Sequence, residues 1–193
     1  LRNVLYPFCA INLKESNRNS LKDFLSLVDV YGLSHMFAIT NTERASYMRL
    51  AKMPSGPTIT FKINKYCLAT DIFNTSKNKK PLSKTFNHIP LCILNGFNNP
   101  LLDKKYSEAV SIVSTMLQSI FPPLNLNELT ISQAQKAIVF NLDLNKSGEP
   151  IIEMRHFNID TEKASTKKTI SNILNMMLLL KLLQLRMLLI CDE

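Results

Sequence analysis

The chain has 193 residues, 23 Lys and Arg against 15 Asp and Glu, and a net charge of +8. With 46% hydrophobic and 20% charged residues it is too apolar for a disordered chain and long enough to build a core without staples. Its four cysteines (Cys9, Cys67, Cys92, Cys191) lie far apart with no CxxC pair, which argues against structural zinc and a disulfide framework and fits reduced thiols.

No long apolar run follows a basic start in residues 1–13, so no signal peptide is read there. The chain begins at Leu1 rather than Met, and the natural N-terminus is expected upstream. The first helix is expected from Leu21, with Ser20 as N-cap and Asp23 three residues later. Leu21, Phe24, Leu25 and Val28 recur at helical spacing, and Gly32 is the stop. His35 to Thr40 and Ser46 to Lys52 read as strands, Pro54-Ser55-Gly56-Pro57 as a turn, and Thr58 to Ile63 as a further strand of alternating, β-branched character. The polar stretch from Asn74 to Asn87 is a loop dividing two lobes. Beyond it, Ile89 to Leu94 reads as a strand ending in the turn pair Asn95-Gly96. Tyr106 to Phe121 forms the clearest helix, closed by Pro122-Pro123. Ala137 to Leu144 and Pro150 to Ile159 form a hairpin about Asn145-Lys146-Ser147-Gly148. Both halves therefore mix one amphipathic helix with short strands, an α/β layering. Ile173 to Cys191 is Leu- and Met-rich and is expected to be a helix packed on the domain or on a partner. Lys181 and Arg186 would each cost roughly 2.5–3.5 kcal/mol in a membrane span, and the polar residues do not gather on one helical side.

Charge is distributed unevenly: residues 1–60 carry +3, 61–84 carry +5, 85–160 carry −2 and 161–193 carry +2. Part of the excess reflects a Lys- and Asn-rich composition, with 17 Lys, 6 Arg and 19 Asn. Its concentration in the first half suggests a basic lobe facing a polyanion, although Lys77, Lys79, Lys80 and Lys84 also suit a solvated loop. Catalytic sets are scarce. His35, His88 and His156 make no metal-like spacing with Cys, Asp or Glu, and no nucleophile has a local base. Four glycines provide neither a P-loop nor GxGxxG, which excludes nucleotide binding by those routes, and with no metal-like spacing either, no cofactor and no metal are expected. Gly56-Pro57-Thr58 either cradles a phosphate or simply turns the chain. Aromatic residues are only 8%, without clustering for base stacking on a sheet, so phosphate and shape contacts fit better.

Five segments in order resemble the Brix domain family. They are Leu21-Lys22-Asp23-Phe24, Pro54 to Phe61, Pro90 to Phe97, Met116 to Leu124 and Arg155-His156-Phe157. Leu94-Asn95-Gly96-Phe97 and Phe121-Pro122-Pro123-Leu124 resemble its Peter Pan (Ssf-type) branch. The resemblance runs from about Pro7 to Glu162. It implies two similar α/β halves related to anticodon-binding domains, about 20–84 and 85–163, with 164–193 as a Leu-rich C-terminal helix or tail. It also implies a nuclear, nucleolar factor without catalysis that binds precursor ribosomal RNA during large-subunit assembly. Its partners would be ribosomal proteins and other assembly factors, with no membrane role. The family's basic flanks are reduced here to Lys163, Lys167 and Lys168 after the Arg-His strand. Candidate phosphate contacts are Arg18, Lys22, Arg49, Lys52, Lys62 and Lys65. Gly56, Pro57, Thr58, Arg155 and His156 match family motifs and are further RNA-binding candidates. Two other classes compete: a protein-interaction module docking through the apolar tail, and a tRNA-binding accessory domain. An enzyme has no residue set behind it.

Overall fold

Apolar residues at every second position turn one side of an extended chain to a core, as at Met48 and Leu50 or at Ile138, Phe140 and Leu142. The computed structural model describes residues 1–16, 18–75, 88–122, 136–159 and 181–190. A short helix α1 (Arg2–Leu5) precedes α2 (Leu21–Tyr31), where the Asp23 carboxylate accepts the Ser20 backbone N–H at 2.8 Å and Gly32 ends the helix at φ +60°. Three strands follow as an antiparallel meander: β1 (His35–Asn41), β2 (Ser46–Lys52) and β3 (Thr58–Tyr66). Helix α3 (Ala69–Thr75) takes in the first two residues of the stretch expected as loop, and the Lys77 to Lys84 run lies outside the described residues. The second half contains β4 (Leu91–Asn95), α4 (Lys104–Ser119), β5 (Lys136–Leu144) and β6 (Pro150–Asn158). Strand β4 pairs parallel to β5 across the α4 crossover, and β5 and β6 form the expected hairpin.

The apolar C-terminal segment corrects the expectation of a helix. Lys181–Ile190 is a strand, β7, inserted between β3 and β6 and antiparallel to both. The physical reason lies in its spacing. Leu183, Leu185, Met187 and Leu189 alternate with Gln184 and Arg186, a period of two, so a helical projection scatters its polar residues. The sheet is thereby a single seven-stranded layer in the order β1-β2-β3-β7-β6-β5-β4, with the hairpins β2–β3 and β5–β6 on either side of β7. The fold is α/β.

One face of this sheet is sealed by α4. Val110, Val113, Met116 and Leu117 pack in one cluster with Met48, Leu50 and Phe61 of the first half, Ile138, Phe140, Ile152 and Met154 of the second, and Met187 of β7. Each such side chain, taken fully out of water, contributes about 1.5–3 kcal/mol. Because the cluster draws on both halves and the seam strand, the two hairpins are held as one body.

Candidate nucleic-acid interface

Alternation about the α4-facing core decides which basic side chains share a surface. Leu50 and Phe61 point to α4, so Arg49 and Lys62 lie on the opposite face. Lys65 would follow Ile63 onto the core side in a regular strand. A register shift between Ile63 and Lys65 intervenes: Ile63 pairs with the core residue Met187, whereas Lys65 pairs with Arg186. This bulge at Asn64 brings Lys65 round to the face of Arg49 and Lys62, a recurrent use of bulges. Strands β1 to β3 hold Arg49, Lys52, Lys62 and Lys65 without a single Asp or Glu. Arg49 and Lys65 are exposed and Lys62 is half-buried.

The other sequence candidates are not gathered there. Lys52 is exposed but has the parity of Leu50, on the α4 side. There it neighbours His35, whose Nε2 lies 3.0 Å from Ser119 Oγ at the end of α4. Burial, and then the Lys52 charge, lower the His35 pKa. Arg18 and Lys22 are exposed at the start of α2, away from the meander in sequence. Gly56 has a local structural reason. Its N–H donates to the Lys52 carbonyl at 2.9 Å, and a Cβ there would stand 2.7 Å from Lys52 Cβ and 2.9 Å from Lys52 O. The carbonyl of Pro57 accepts the Lys52 N–H at 3.1 Å, which makes Gly56-Pro57 the closure of the β2–β3 hairpin, with Thr58 exposed at the head of β3. Both N–H groups named here donate within the hairpin.

Arg155 and His156 point to opposite sides of β6. Arg155 forms a partly buried ion pair with Glu153 two residues earlier, on the face away from α4. His156 is 1% exposed and its pKa is pushed down to about 4, first by burial and then by the neighbouring Lys136 ammonium. A side chain so enclosed cannot touch a phosphate while the sheet stays closed. Sequence reasoning did not single out Lys136, which is fully buried. Its Nζ donates to the carbonyls of Val4 at 3.0 Å and Tyr6 at 2.7 Å, clamping the α1 segment onto β5. Burial lowers its pKa to about 8.

A second feature was also missed. Between the β4–α4 loop and α4 lies an open cleft of about 470 Å³, lined by Leu94, Phe97, Asn98, Asn99, Ser114 and Gln118. Gly96 (φ +80°) shapes it, because a Cβ there would come within 2.5 Å of the Leu142 carbonyl, so the loop lies tight on β5. The sequence signal was the Asn98-Asn99 pair directly after Leu-Asn-Gly-Phe. Among the described residues, no three His, Cys, Asp or Glu side chains converge on a metal-sized site. No described helix is long and apolar enough to cross a membrane.

Comparison with known proteins gives a consistent result. Residues 1–175 match the Brix domain. The chain is 32% identical over 170 residues to the Peter Pan-like protein of Arabidopsis thaliana, covering 88% of this chain and 47% of that protein. It is 32% identical over 178 residues to ribosome biogenesis protein SSF1 of Saccharomyces cerevisiae, covering 89% and 39% respectively. Against protein Peter pan of Drosophila melanogaster the identity is 29% over 172 residues, 89% of this chain and 35% of that protein. The chain thus spans less than half the length of these relatives.

Proposed function

The chain belongs to the Brix domain family, and we propose that it serves ribosome biogenesis as a non-catalytic scaffold that binds precursor ribosomal RNA during large-subunit assembly in the nucleolus. The observation that carries this reading is the set of three meander strands without Asp or Glu, where the bulge sets Lys65 beside Lys62 and Arg49 on the face away from α4. Such a face neutralises phosphates without reading sequence, so its role is to hold an RNA segment in position. Bound there, the domain would keep an RNA junction in an immature arrangement until ribosomal proteins or other assembly factors displace it.

In-cell crosslinking with sequencing of the bound RNA tests the proposal. Enrichment of large-subunit precursor is expected; reads scattered over mature messenger RNA would overturn it. Of the competing readings, docking of a partner by a C-terminal helix loses residues 181–190, which pair on both edges as β7. Competition between purified tRNA and precursor fragments separates the tRNA-binding alternative, and a clear tRNA preference would favour it.

A further inference from the structure

The cleft beside α4 differs in chemistry from the cationic face. Among the described residues no charged side chain lines it, so it offers a phosphate or a carboxylate no charge-assisted contact. Instead it presents two asparagine amides, a glutamine amide and a serine hydroxyl over an apolar floor that includes Phe97, which packs against the core. Among the described residues Asn99 commits only its Oδ1, which accepts the Leu101 N–H at 2.9 Å, and this leaves its NH2 for a ligand. Amides pair donors with acceptors, the pattern displayed by the edges of unpaired nucleobases, and single-stranded RNA is read through such edges. A volume of about 470 Å³ lies within the ~300–1,000 Å³ of sites that enclose one compact organic group. That size suits a splayed nucleoside rather than a length of extended peptide.

We infer that this cleft, formed by the loop after β4 and the outer side of α4, accepts one unpaired nucleobase of the bound RNA. The inference rests on the RNA-binding reading above and adds a second, neutral contact to it. The two contacts are well separated. Strand β4 is five places from β2 in the sheet order, and strand spacing of about 4.8 Å puts them roughly 24 Å apart. Phosphates are held on β2 and β3 and a base beside the β4 edge, so the effects should separate by salt dependence.

The test uses the full chain and fluorescence anisotropy with 12-nucleotide oligo(rA), oligo(rC), oligo(rG) and oligo(rU), together with a 12-unit abasic ribose-phosphate strand. Asn98→Ala and Gln118→Ala, both at exposed positions, should each weaken binding of at least one base-bearing oligomer by about 3- to 10-fold. Their affinity for the abasic strand, and the slope of affinity against salt, should not change. Equal binding of abasic and base-bearing strands by the unaltered chain would overturn the base site and leave RNA binding standing. Equal losses on both kinds of strand, or no loss on any, would overturn it too. So would variants that keep RNA affinity but lose a protein partner, since the cleft would then be a peptide site. Failure of the unaltered chain to bind any strand would instead remove the RNA reading itself.

Discussion

Acidification offers a direct measure of how His156 is held. Its folded pKa of about 4 lies below the ordinary histidine value of 6.5 because burial, and then Lys136, disfavour the imidazolium. The unfolded chain therefore takes up a proton as pH falls below 6.5, while the folded chain resists until about pH 4. The folded state is favoured fully above 6.5, and that advantage drains away between 6.5 and 4. A gap of about 2.5 units corresponds to roughly 3 kcal/mol, a large share of the 5–15 kcal/mol typical of a domain. Urea unfolding of the unaltered chain and of His156→Gln, in steps from pH 7 to pH 4, isolates this effect. Asp and Glu titration is common to both proteins and cancels in the difference. His156→Gln should lose about 3 kcal/mol less than the unaltered chain over that interval, whatever its stability at pH 7. Curves that stay parallel would refute the placement of a neutral imidazole in the core. At pH 7 the folded variant should bind RNA as the unaltered chain does, and a weakened affinity there would put His156 at the interface after all.

Other consequences can be checked separately. The double variant Arg49→Glu/Lys62→Glu should lower the magnitude of the log–log salt slope for single-stranded RNA by about 1.4, two phosphates at roughly 0.7 each, whereas Lys52→Glu on the α4 side should leave it unchanged. A slope that responds equally to all three positions would contradict a single RNA-facing surface. Gly56→Ala should cost about 1–3 kcal/mol in denaturant unfolding, because its Cβ meets Lys52 at 2.7 Å. An unchanged midpoint would mean the hairpin relaxes freely. Cys92, whose thiol burial pushes up to about 11, should resist a thiolate-selective reagent at pH 8 until the chain is unfolded. Labelling of Cys92 in the folded chain as fast as in urea would show that the strand edge opens.

Strands β1 to β6 and helices α2 and α4 could be read because local chemistry fixes them: period-two alternation, a capping Asp23, glycine at Gly32 and Gly96, and prolines after α4. Strand β7 could not. Its neighbours β3 and β6 come from opposite halves of the chain, and a buried central strand and a buried helix show the same apolar run. Short helices α1 and α3 have too few residues to show a period. The site divides in the same manner. Arg49 and Lys62 follow from counting by two. The face of Lys65 depends on a bulge that appears only once β7 is paired, and the burial of His156 and Lys136 only once α1 lies over β5.

The bulge also explains why the charge asymmetry of the sequence becomes a surface rather than an average. Without the irregularity at Asn64, Lys65 would fall on the side of Ile63, facing the apolar cluster under α4. A Lys there would lose its hydration or force the end of β3 away from the sheet. With the bulge, Lys65 joins Lys62 and Arg49, and β1 to β3 bring no carboxylate to compete. Across the β7 seam the same face changes character, because Glu153 pairs with Arg155 and the ion pair is partly buried. Phosphate would have to displace that carboxylate to reach Arg155, whereas Arg49 and Lys65 are exposed. Among the described side chains the sheet thus carries its open positive charge on the first-half side of the seam, where a phosphate backbone would lose least in desolvation.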